Sequence, residues 1–167
     1  MSYTEMPAKA SLLYAIVVPP DAGDTLFANM YAAYDALPPD RKERLQGLIA
    51  VHALDRATAP KYTGAQLAAT AEVRHPLIRT HPETGRKAIY AGVFARRIEG
   101  LSETESEEVL AFLGRHCTQA AFQCRYRWRA GDLVMWDNRC VLHRALEFDP
   151  ALERHMHRTT LIGDTPV

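Results

Sequence analysis

The stretch FQCRYRWRAGDLVMW, residues 122–136, is where the fold can be read most directly. Phe122 to Trp128 alternates apolar with polar side chains, the period of a strand with one solvated face. Ala130-Gly131-Asp132 then has turn chemistry, and Leu133 to Trp136 resumes as an apolar strand. This regularity points to a fold built mainly of strands.

Working outward, the same signals recur along the chain. After the break at Pro150, His155 to Ile162 extends again. Near the start, residues 10 to 18 form a first strand, Asp21-Ala22-Gly23-Asp24 a turn, and Thr25 to Phe27 a second extended piece. Asn29 caps a helix through Tyr34 to Leu37 that Pro38-Pro39 stops; Asp40 caps another over Arg41 to Gln46, and Leu48 to Leu54 is an apolar segment. Residues 55 to 71 show weak periodicity and are expected to form a surface loop over a ligand. Val73 to Arg79 and Ala88 to Val93 flank a polar turn, His81 to Arg86, as a long hairpin. Ser102 and Glu105 have capping-box spacing ahead of Val109, Leu110 and Leu113, which predicts a helix reaching Cys117. The expectation is a mainly β domain with flanking helices over residues 1–167: a sandwich, barrel or jelly roll.

Composition narrows the function classes. A net charge of zero and a chain 47% hydrophobic and 24% charged carry no footprint for nucleic acid or an anionic membrane. The apolar run Leu12 to Val18 is followed by Pro19-Pro20 without a cleavage pattern, and no stretch approaches the roughly 20 apolar residues of a spanning helix. Three cysteines, Cys117, Cys124 and Cys140, lack zinc-site or disulfide-framework spacing, which fits a reducing cytoplasm. A small-molecule partner remains, with a homo-oligomer open.

The chemistry-bearing residues gather in the last third. His143 follows Trp136-Asp137-Asn138-Arg139. Arg154 and Arg158 lie four apart in extended chain, so both point to the face that Met156 shares. An arginine fork grips carboxylates and sulfonates with paired hydrogen bonds, so two arginines suit two acidic ligands; a solvated, salt-bridged face reads equally well from spacing alone.

Gly23-Asp24-Thr25, Phe27-Ala28-Asn29-Met30, Trp136 to Arg139 ahead of His143, then Arg154 and Met156-His157-Arg158, together resemble the taurine dioxygenase family. The resemblance runs from Ala10 almost to the C-terminus. It implies a double-stranded β-helix, or jelly roll, and a dioxygenase using Fe(II) and 2-oxoglutarate on a small, anionic organic substrate: a sulfonate, sulfate ester or carboxylate. It makes His143 an iron ligand, Thr25 and Arg154 the anchors of the outer carboxylate of 2-oxoglutarate, and Arg158 the residue for the substrate anion. Trp136 matches an aromatic near the metal.

The chain departs from that pattern in one place. The family's His-x-Asp iron ligands precede Thr25, and Met1 stands about where the residue after that aspartate belongs. None of His52, His75, His81, His116, His155 or His157 begins a His-x-Asp, and the one His-x-Glu, His81-Pro82-Glu83, follows Thr25 instead of preceding it. The expectation is an N-terminally truncated jelly roll, inactive alone. The alternative is a non-catalytic remnant that binds a carboxylate ligand or a partner. Two further patterns are expected to be ordinary surface: His155-x-His157, and Arg125, Arg127 and Arg129 interleaved with Tyr126 and Trp128.

Overall fold

A computed structural model describes residues 2–55, 59–60, 62–68 and 70–167. Strand β1 (Ala10–Val17) runs between β9 (Leu133–Asp137) and β11 (His155–Leu161), antiparallel to both. Strand β2 (Thr25–Asn29) likewise runs between β8 (Gln123–Tyr126) and β10 (Val141–Ala145). The rings of Phe27 on β2 and Trp136 on β9 lie 5.3 Å apart, so the two sheets face each other. This is the jelly-roll arrangement.

Pleating decides what lies between the sheets. Ser11 is paired with Trp136 and Leu13 with Arg158, so these side chains share one face of their sheet. Leu12, Tyr14, Leu133 and Met135 take the opposite face, where Leu133 and Met135 are exposed.

A third sheet, with β3 (Ile49–His52) between β4 (Val73–Pro76) and β7 (Ala95–Ile98), and the pair β5 (Ile78–Thr80) and β6 (Lys87–Ile89) pack with the helices. Met30, Ala33 and Leu37, from in and around helix α1 (Met30–Asp35), join Leu113 and Cys117 of α4 (Glu103–Cys117) and Ala88, Ile89 and Ile98 in one apolar core. Asn29 caps α1 by accepting from the amides of Tyr31 and Ala32. Both halves of the capping box at Ser102 and Glu105 form.

Several expectations need correction. Helix α2 is Pro39–Leu45, with Pro38 at its cap and Asp40 inside its first turn. Proline's fixed φ suits the first helical position, so the helix starts earlier than the acidic cap implied. The hairpin over 73–93 is broken at Leu77, whose amide donates to Leu48 O and whose carbonyl accepts from Tyr90 N. Pro76, without an N–H, ends β4, which pairs with β3, while β5 pairs with β6. Within 55–71 a short helix, α3 (Gly64–Ala68), interrupts the expected loop; residues 56–58, 61 and 69 lie outside the described set. Strands β7 and β10 were not anticipated, because ARRI and VLHRA carry charge where a strand pattern expects apolar residues.

The third sheet also encloses a histidine pair. His52 and His75 are wholly buried, their rings 5.2 Å apart against Tyr90. Nε2 of His75 lies 3.0 Å from the Thr4 carbonyl, to which it donates, and Nδ1 of His52 is 2.8 Å from the Ser2 hydroxyl. Burial foremost, then the neighbouring His75 and Arg96, pushes the pKa of His52 from 6.5 to about 3, and burial lowers His75 as well. The unfolded chain therefore takes up protons first as pH falls. The stability contributed by a neutral His52 is complete above pH 6.5 and is lost progressively towards pH 3. Urea denaturation is expected to show a falling midpoint between about pH 7.5 and about pH 4.5, with a shallower fall in His52→Gln. Identical pH profiles for the two proteins would refute the assignment.

Candidate functional site

Thr25 and His143 are placed by the β2–β10 ladder. Phe27 is registered with His143 and Thr25 with Ala145, so Thr25 and His143 are diagonal neighbours on one sheet face, positions roughly 7–8 Å apart. The imidazole lies 4.8 Å from the Trp136 ring and 6.4 Å from Phe27. Crowding by these neighbours and then the Arg158 charge push its pKa to about 4. At neutral pH it is an uncharged ring with a lone pair to give, and the residue stays open to solvent along one side.

Arg154 sits just ahead of β11, with its chain packed on Gly23. A Cβ at position 23 would lie 3.1 Å from both Cδ and Nε of Arg154, and Gly23 has φ +70°. Only glycine meets both requirements. Arg154 Nε is buried without a hydrogen-bond partner, burial lowers the guanidinium pKa, and the group lies 5.8 Å from the Phe148 ring. Two residues beyond Gly23, the buried Thr25 hydroxyl accepts from the indole N–H of Trp128 at 3.0 Å. Asp24 is fixed between them by Arg125, at 2.6 Å, while its carbonyl accepts from Leu146 N.

Arg158 occupies the facing sheet. Its Nη2 donates to Ser11 Oγ at 3.3 Å, and fully buried Ser11 accepts from Asn138 Nδ2 at 2.9 Å. The structure thus places Thr25 and Arg154 around Gly23, and His143 and Arg158, both open to solvent, on the two facing sheets beside Trp136. Met156 and Arg158 share a strand face, whereas Arg154 stands one residue ahead of β11, beside an irregularity in the β1–β11 register, and is placed by its contact with Gly23.

Trp128, Ser11 and Asn138 were not selected from sequence as site residues. Only the inward phase of Trp128 in the alternating strand and the place of Asn138 beside Trp136 signalled them. The exposed arginines of 125–129 flank a Tyr126–Trp128 pair that turns inward, so no stacking strip forms. His155 and His157 lie 5.3 Å apart on the exposed face of β11, opposite to Arg158.

Metal-binding capacity is limited. Among the described residues, three potential donors converge only at His81, Asp137 and Cys140. That cluster is already engaged. Asp137 is gripped by Arg139 through Nε, Nη2 and the backbone amide, and His81 Nδ1 accepts from two amides, leaving Nε2–H to donate to Asp137. At His143, no second imidazole or carboxylate among the described residues completes such a set.

Comparison with known proteins gives a family model described as "Taurine catabolism dioxygenase TauD, TfdA family", which matches residues 1–160. An alpha-ketoglutarate-dependent 2,4-dichlorophenoxyacetate dioxygenase of Cupriavidus pinatubonensis is 46% identical over 99% of this chain and 59% of its own length. An alpha-ketoglutarate-dependent sulfate ester dioxygenase of Pseudomonas putida is 35% identical over 100% of this chain and 59% of its own. The chain thus spans about three fifths of these curated relatives. Among solved structures, AAD-2 in complex with Mn(II) and N-oxalylglycine superposes with a TM-score of 0.92 at 38% identity, over 99% of this chain and 67% of that one. A taurine dioxygenase from Burkholderia xenovorans superposes at 0.88 and 36%, over 99% and 56%.

The packing of Gly23 yields a test. Gly23→Ala should destabilise the fold by about 1–2 kcal/mol through the left-handed backbone alone, and more as the methyl displaces Arg154. Chemical denaturation checks it; an unchanged midpoint would contradict the close approach.

Proposed function

The chain belongs to the taurine catabolism dioxygenase TauD/TfdA family, and from that membership we propose that it forms the ligand-anchoring part of a dioxygenase that uses Fe(II) and 2-oxoglutarate to oxidise a small organic anion. One observation carries the reading. Arg154 presents a buried, unpartnered Nε in the neighbourhood of a buried threonine hydroxyl, with the neutral His143 diagonal to that threonine. A buried cationic group with unsatisfied donors favours a carboxylate that can take paired hydrogen bonds.

The residues fit 2-oxoglutarate and do not fit iron equally well. Arg154 and Thr25 hold the outer carboxylate. Phe27 and Trp136 stand beside His143, and Arg158, steadied by Ser11, faces the anionic group of the substrate. When bound, 2-oxoglutarate supplies the reducing electrons of the family's oxidation. A non-haem iron site takes two histidines and one carboxylate, and this chain offers His143. The chain by itself therefore does not turn over. Phenoxyacetates and sulfate esters, the substrates named for the relatives above, are the classes that Arg158 suits. A second reading, a carboxylate-binding protein without catalysis, rests on His143 standing without a second imidazole or carboxylate among the described residues.

Calorimetric titration of 2-oxoglutarate into the chain is expected to show binding that Arg154→Ala weakens by about 10- to 100-fold, as loss of hydrogen bonds to a charged group predicts. Equal affinity in the variant would overturn the anchor. Aerobic incubation with Fe(II), 2-oxoglutarate and a phenoxyacetate should yield no succinate above the protein-free control; succinate formation would overturn the assignment of inactivity.

A further inference from the structure

We infer that Trp128 is a positioning residue for the dicarboxylate, acting through Thr25; this rests on the carboxylate-anchoring role proposed above. A threonine hydroxyl carries one proton and two lone pairs and turns freely unless a partner fixes it. An indole N–H can only donate. The 3.0 Å contact from Trp128 Nε1 to Thr25 Oγ1, with both residues buried, therefore obliges the hydroxyl to accept on that side and directs its own proton away from the indole. A hydroxyl held in this sense is a committed donor, which is what an anionic oxygen needs. Without the indole, Thr25 can turn its lone pairs towards the anion, and that orientation repels it.

The indole is itself held from two directions. Its ring meets Tyr126 edge-on at 5.0 Å, and the Tyr126 hydroxyl donates to Asp132 at 3.0 Å. The same Asp132 oxygen accepts from Arg129 N at 2.8 Å, closing the turn just after Trp128. The β8–β9 turn is thus connected through tyrosine, tryptophan and threonine to the neighbourhood of Arg154. Asp24, next to Thr25, is bound to Arg125 of β8, so β8 and the segment just after it secure the anchor at two points.

Trp128→Phe removes the N–H and keeps an aromatic ring. Calorimetry with 2-oxoglutarate should show an affinity about three- to tenfold lower than that of the unaltered chain, the net worth of one hydrogen bond. In a Thr25→Ala background the same change should cost less than about twofold, because the coupling passes through Thr25. A purely structural role would weaken binding equally in both backgrounds. The chain contains two tryptophans, so 15N labelling gives two indole N–H signals, and that of Trp128 should shift when 2-oxoglutarate is added. That shift should be absent in Thr25→Ala, and this readout stands even if Trp128→Phe fails to fold. Unchanged affinity in Trp128→Phe, additive losses, or a Trp128 signal indifferent to a ligand that binds through Arg154 would overturn the inference alone. Absence of Arg154-dependent binding in the unaltered chain would overturn the underlying reading as well.

Discussion

The ion pair between Asp137 and Arg139 is the joint on which the site depends. At Asp137 the chain leaves the sheet of β1, β9 and β11, and by Val141 it has entered the sheet of β2, β8 and β10. The turn between is clamped as the Asp137 carboxylate takes two guanidinium nitrogens and the Arg139 amide, with His81 adding a further hydrogen bond. Burial would raise the Asp137 pKa, but the bonds from Arg139 and His81 outweigh it and hold the carboxyl at about 2. Breaking one side of such a buried pair strands the other charge, so the turn has one strongly favoured geometry. That geometry is why Trp136, before it, and His143, after it, meet at 4.8 Å from opposite walls. Asn138, in the same turn, bonds the Lys9 carbonyl through its amide, and the Ala8 carbonyl and Ser11 hydroxyl through its side chain.

Features carried by local pattern were legible in the sequence. The β1, β9 and β11 strands, the Asn29 cap and the Ser102–Glu105 box each follow from a few adjacent residues, and the structure contains them. The four chosen site residues were singled out through a family resemblance, and strand parity sets the faces of Thr25, His143 and Arg158, while Arg154 is placed by its packing on Gly23. What stayed hidden depends on distant partners. Strand β10 carries the solvent-open His143 and, on its other face, the exposed Arg144, so it has no simple apolar alternation. The break at Leu77 depends on where Leu48 and Tyr90 come to lie. Trp128 and Ser11 matter through single hydrogen bonds spanning 103 and 147 positions, which no local pattern encodes.

The two arginines differ in a way that spacing alone did not show. Arg154 is half-buried, with an Nε that finds no hydrogen-bond partner among the described residues, whereas Arg158 is exposed and has Ser11 as a companion. Desolvation makes the first an exacting partner. An anion there must bring well-aligned oxygens to repay the loss of water, and the rigid Gly23 and Thr25 surroundings leave it little latitude. The second arginine remains hydrated and can accept carboxylate or sulfate at a small energetic difference. We have proposed the first for the cosubstrate and the second for the substrate anion, a division that suits a family with a 2,4-dichlorophenoxyacetate dioxygenase and a sulfate ester dioxygenase among its members. On that proposal, variation in substrate is absorbed at the open arginine, and the constancy of the cosubstrate is enforced at the half-buried one.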